Sequence, residues 1–179
     1  MAAIWRRWMA RRLATLALAG CAALSLALPG AARGEDDPGF VSLYAGGYDI
    51  IGRSSHPAGM LGGEYRFGTK LWIFKPFLGA LGTSGKAAYG YGGFLVDIYL
   101  SPRWVLQPNA AVGYFHQGSG TDIGAKIEFR TGGEIAYRFD DRSRLGLSFH
   151  HISNAGISKH NPGEEDAALV FSIPFDLFK

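Results

Sequence analysis

The stretch Lys126-Ile127-Glu128-Phe129-Arg130-Thr131-Gly132-Gly133-Glu134-Ile135-Ala136-Tyr137-Arg138-Phe139 decides how this chain folds. Read by twos, Ile127, Phe129, Ile135, Tyr137 and Phe139 fall on one side, and Lys126, Glu128, Arg130, Glu134, Ala136 and Arg138 on the other. Successive side chains of a strand point to opposite faces, so this is a strand with one apolar and one charged face. A soluble sandwich also alternates, but it buries its apolar face and rarely loads one strand with so many charges. A closed transmembrane barrel turns the apolar face to lipid and lets the charges pair with each other inside. Closure also removes the unpaired edge that hydrocarbon would penalise.

The same period continues on both sides of this stretch. Alternating segments fall near Phe40–Ile50, Met60–Phe67, Leu71–Leu81, Ala88–Leu100, Trp104–His116, Lys126–Phe139, Ser143–Ser153 and Glu165–Phe175. A tilted membrane strand needs about 9–11 residues, and segments of this size supply them. Gly68-Thr69-Lys70, Ser101-Pro102-Arg103 and Asp140-Asp141-Arg142 read as tight turns; the stretches near 52–59, 117–124 and 154–164 are longer. Only the connection at Thr83–Lys86 departs from this short-long alternation. Trp72, Trp104, Tyr137 and Phe139 sit beside the short turns, as an interfacial aromatic girdle would. The expected fold is all-β, an eight-stranded antiparallel transmembrane β-barrel over residues 35–179, its interior filled by side chains.

Residues 1–34 read as an export signal. Arg6, Arg7, Arg11 and Arg12 form a basic start, Leu13 to Leu28 an apolar run, and Gly30, Ala31 and Ala32 a small-residue cleavage region. Leu18-Ala19-Gly20-Cys21 also matches a lipoprotein box, but the residues after Cys21 stay apolar where a mature lipoprotein starts polar. Of the 18 Lys and Arg residues, five precede Glu35 and no acidic residue does, so the remainder carries 13 basic against 15 acidic groups. The basic balance belongs to the signal, and no nucleic-acid partner is implied. After cleavage no cysteine remains, which excludes disulfides, a thiol nucleophile and a cysteine metal site.

Chemistry concentrates in His150-His151-Ile152-Ser153-Asn154-Ala155-Gly156 and in Asn161-Pro162-Gly163-Glu164-Glu165. Leu145, Leu147 and Phe149 form the apolar face of the seventh segment, and the next residues on that face are His151 and Ser153. Counting back from Leu169, Phe171, Ile173 and Phe175 in the eighth segment brings Ala167 and Glu165 to the same face. Arg144, Ser148, His150, Glu164 and Asp166 point inward. A histidine, a serine and a carboxylate thus meet on the outside of the barrel, at the loop ends of two neighbouring strands, where burial is costly unless they have a task. In such a set Ser153 is the nucleophile, His151 its base and Glu165 the group that orients the imidazole. Asn154, Asn161 and the backbone near Gly156 are candidate donors to an oxyanion.

These two motifs resemble the signature of the lipid A 3-O-deacylase (PagL-type) family, in layout over the whole mature chain and most specifically over its last thirty or so residues. The resemblance implies an eight-stranded outer-membrane barrel with a Ser-His-Glu site on its lipid-facing exterior, hydrolysing the 3-O-linked acyl chain of lipid A. It assigns His151, Ser153 and Glu165 to catalysis and Asn161 to the oxyanion. The implied partners are lipopolysaccharide and the outer membrane, with no cofactor and no metal. It leaves the oligomeric state open, a homodimer included.

Plainer readings stand beside these. A lone His-x-Ser in a strand usually carries no function. His150 reads as an interior or rim hydrogen-bonding residue and His160 as a solvated loop residue. His150, His160 and Glu164 match no compact metal-ligand spacing. Tyr89-Gly90-Tyr91-Gly92-Gly93 reads as curvature rather than phosphate binding. A non-catalytic adhesive or structural barrel and an acyltransferase barrel remain as alternatives.

Overall fold

The computed structural model of the chain describes residues 38–51 and 57–178. The export-signal reading of 1–34, with Cys21, lies outside them. Nine strands follow one another: β1 (Phe40–Tyr48), β2 (Ala58–Arg66), β3 (Lys75–Thr83), β4 (Ala88–Leu95), β5 (Ile98–Tyr99), β6 (Trp104–His116), β7 (Ile127–Arg138), β8 (Arg144–Ser153) and β9 (Glu164–Pro174). All pairings are antiparallel. β1 pairs with β9 and β4 with β6, so the sheet closes on itself.

The ninth strand is not an extra stave. Leu95 pairs with Asn109 and Ile98 with Leu106, so β4 and β5 run along β6 in one unbroken register. Between them Val96 faces Pro108, whose carbonyl accepts the Val96 N–H at 3.1 Å. Proline has no N–H to return, and the ladder lapses there without any residue being inserted. The fold is therefore the closed eight-stranded antiparallel barrel that the alternation predicts.

One strand start differs clearly from the sequence reading. β3 begins at Lys75 rather than Leu71. Leu71 and Phe74 instead close a small turn on each other through two backbone bonds, with Trp72 at φ 62°. The run Leu71–Phe74 is apolar throughout, so no alternation marks where the strand starts. Elsewhere the boundaries move by two residues or fewer, apart from the lapse in the fourth stave.

The two faces divide as expected. Leu43, Leu61, Leu78, Leu147 and Leu169 are among the large apolar side chains exposed on the exterior. Trp104 and Tyr137 meet edge-on at 5.5 Å beside the short turns, and Trp72 is 83% exposed at the same end. The interior is packed. Toward the long loops lie Tyr48, Met60, Tyr89, Phe115, Ile123 and Ile152. Nearer the turns a charged band crosses the lumen. Arg66 binds Glu64 at 2.9 Å and Glu134 at 2.7 Å, and Arg130 reaches Glu64 at 3.2 Å. Lys75 and Arg144 share Asp97, at 2.6 and 3.0 Å. Removing these charges from water is costly, and each is matched by an opposite partner in the band. Lys126, placed on the charged face by sequence, is exposed because β7 begins one residue after it.

Candidate active site

Antiparallel register brings the site together. On the exterior of the β8–β9 hairpin, Leu145 lies opposite Phe171, Leu147 opposite Leu169, Phe149 opposite Ala167 and His151 opposite Glu165. Directly paired residues have Cβ atoms about 4.5–5.5 Å apart, close enough for an imidazole to meet a carboxylate. His151 Nδ1 lies 3.1 Å from Glu165 Oε1, with the two side chains 43% and 29% exposed. The contact makes Nδ1 the protonated nitrogen and leaves the Nε2 lone pair to act as a base.

The Nε2 edge is seated by a missing side chain. Carried two residues past the His151–Glu165 pair, the β8–β9 register sets Gly163, just before β9, across from Ser153. A Cβ on Gly163 would stand 2.6 Å from His151 Cε1 and 3.1 Å from Nε2, and its φ of +68° disfavours any other residue. The ring therefore lies toward the loop end, the side on which Ser153 stands. Ser153 shares the outward face, but no hydrogen bond joins it to His151. Residues two apart on a strand are separated by about 6.6 Å of rise. Catalytic hydrogen bonds are often open in a substrate-free site and tighten with substrate bound.

The two asparagines separate. The parity that puts Ser153 outside puts Asn154 inside, where it is fully buried. Its Nδ2 donates to the carbonyls of Ile123 and His160, both at 2.9 Å, and its Oδ1 accepts Gly156 N–H at 3.0 Å. Asn154 is thus used up in holding the loop, and the Gly156 N–H is engaged with it. Asn161 is exposed, and its Oδ1 accepts the Asn154 N–H at 3.0 Å. Because an N–H must meet the oxygen, this bond fixes the amide orientation and leaves Asn161 Nδ2 as a donor.

A second pair stands back to back with the first. His150 Nδ1 lies 3.2 Å from Asp166 Oδ1, on the same two strands but inside the barrel. Arg130 and Asn109 also contact this imidazole, at 2.8 and 3.2 Å. His150 is therefore an interior histidine, as its parity indicates. Glu164 is buried too, accepting the Asp49 N–H at 3.2 Å. His160 is not merely solvated: its Nε2–H donates to the Asp122 carbonyl at 3.0 Å, tying the β8–β9 loop to the β6–β7 loop. Gly163 and the loop tie had no signal in residue periodicity; the inward turn of Asn154 did.

A closed eight-stranded barrel with an apolar exterior and a charged lumen is the architecture of an outer-membrane β-barrel protein. The model of the family described as lipid A 3-O-deacylase (PagL) matches residues 56–174, about two thirds of the chain, and the chain belongs to that family. Among solved structures it resembles the crystal structure of the outer membrane enzyme PagL. The TM-score is 0.60 at 18% identity, covering 76% of this chain and 99% of that one. A de novo designed transmembrane β-barrel matches at TM-score 0.51 and 14% identity, covering 78% and 99%. No curated protein matches the sequence.

Proposed function

We propose that this protein is a serine esterase that hydrolyses the 3-O-linked acyl chain of lipid A from the lipid-facing side of its barrel. The observation that carries this reading is the His151–Glu165 pair at 3.1 Å on the exterior, in line with Ser153 and with the apolar track Phe149, Leu147 and Leu145.

The chemistry balances with these groups. Ser153 Oγ attacks the ester carbonyl carbon as His151 Nε2 takes its proton. Glu165 holds Nδ1–H and stabilises the imidazolium. The tetrahedral oxyanion accepts from Asn161 Nδ2, while Asn154 sets the loop that carries it. The sugar 3-oxygen leaves with the proton from Nε2, and the acyl group stays on Ser153. Water, deprotonated by Nε2, then attacks the acyl-serine; free fatty acid departs and Ser153 regains its proton. The ester arrives sideways from the membrane, and its chain lies along the exterior apolar residues without leaving an apolar surrounding.

Mass spectrometry of lipid A from cells producing the protein tests this. The unaltered chain should remove one 3-linked acyl group, and Ser153→Ala should leave lipid A intact while still folding as a barrel. Full deacylation by Ser153→Ala would remove the nucleophile assignment. Acyl gain instead of loss would point to the acyltransferase alternative.

A further inference from the structure

A cleft of about 510 Å³ opens at the loop end of the β6–β7 hairpin, lined by Tyr114, His116, Gln117, Asp122 and Lys126 together with backbone of the loop. It lies on the strand next to Ser153, at the loop end of that strand. Ser153 pairs with Phe129 on β7, and Ile127, two residues further toward the loops, pairs with Tyr114 on β6. With strands about 4.8 Å apart and a rise of about 3.3 Å per residue, Lys126 lies on the order of 10 Å from Ser153. Lys126 is held at the rim by its carbonyl, which accepts the Phe115 N–H at 2.7 Å. Its exposed ammonium has no ion-pair partner among the described residues. Asp122 spends one carboxylate oxygen on the Gly124 N–H at 2.9 Å, which leaves the other to accept from a hydroxyl or amide. The cleft is also tied to the catalytic loop. Asn154 binds the Ile123 carbonyl and His160 the Asp122 carbonyl.

We propose that this cleft is a headgroup subsite: it takes a phosphate of a phosphorylated amino-sugar lipid on Lys126, with Asp122 facing the sugar's hydroxyl or amide groups. This rests on the esterase reading for the identity of the lipid, since the ester at Ser153 and the group in the cleft belong to one molecule. The loop ties then make the spacing between cleft and nucleophile a fixed ruler for where along the sugar the ester is cut.

Binding tests it without turnover. The full chain carrying Ser153→Ala is folded in detergent micelles and titrated with lipid A bearing its phosphates and with the same lipid A dephosphorylated. Lys126→Glu should weaken binding of the phosphorylated lipid about tenfold or more, the scale of one charge-assisted contact. Lys126→Arg should keep it, and neither change should alter binding of the dephosphorylated lipid. Equal loss on both lipids, or no loss on either, would overturn the subsite. Inorganic phosphate displacing the lipid at comparable concentration would make it a free-anion site and overturn the headgroup assignment. Acyl release by the chain with Ser153 intact is scored separately: none, with phosphate selectivity kept, would sink the esterase reading alone.

Discussion

At the scale of single residues, adjacent glutamates do different work because a strand alternates. Glu165 faces outward onto His151, whereas Glu164 is buried and accepts the Asp49 N–H. Glu165→Ala should lower kcat by about 10²–10⁴-fold, the range for losing the orienting carboxylate of such a triad. Glu164→Ala should instead cost stability and leave kcat of the folded enzyme within a few-fold. Steady-state deacylation beside urea unfolding separates the two, and equal loss of kcat from both would refute the assignment. Counting by twos from Leu145 and Leu169 was enough to place His151, Ser153 and Glu165 on one face. The same count, carried one residue further, turns Asn154 inward and removes it as an oxyanion donor. The seat that Gly163 gives His151 was not legible, because the absence of a side chain shows its use only when a neighbour fills the space.

At the scale of elements, the two longest described loops are joined by hydrogen bonds. Asn154 sits at their junction, donating to Ile123 in one and His160 in the other. Asn154→Ala would strand the buried Ile123 carbonyl, at a cost of about 1–3 kcal/mol, and free the half-buried His160 carbonyl. It should therefore raise hydrogen exchange in 117–125 and 154–163 together and lower deacylation, with the barrel staves still protected. Exchange rising in 154–163 alone would show that the loops are independent. A second expectation concerns the apolar track: Leu147→Lys should raise KM for lipid A while the barrel still folds, and unchanged KM would remove the acyl path. Strand positions were readable wherever polar and apolar residues alternate. They failed at Leu71–Phe74, which does not alternate, and at Val96, where Pro108 on the neighbouring strand breaks the ladder.

At the scale of the whole molecule, the lumen is held by charge rather than by a hydrocarbon core alone. Arg66 bridges β2 to β7 through Glu134 and also holds Glu64. Arg66→Met would leave two buried carboxylates without their shared cation, and should destabilise the barrel by about 3–5 kcal/mol. Adding Glu134→Gln should recover part of that loss; urea titration of the two variants in liposomes reads both. That charges would pair inside was evident from the sequence, but not which with which, since Arg66 and Glu134 come from strands that are not neighbours. The back-to-back pairs, His151–Glu165 outside and His150–Asp166 inside, carry a further meaning for assembly. Were β8 and β9 threaded one residue out of step with the barrel, each histidine would inherit the other's surroundings: the sealed pair would meet lipid and the working pair would be walled in. On the proposed esterase reading, acyl release would then be confined to the correctly threaded chain and would report on barrel insertion.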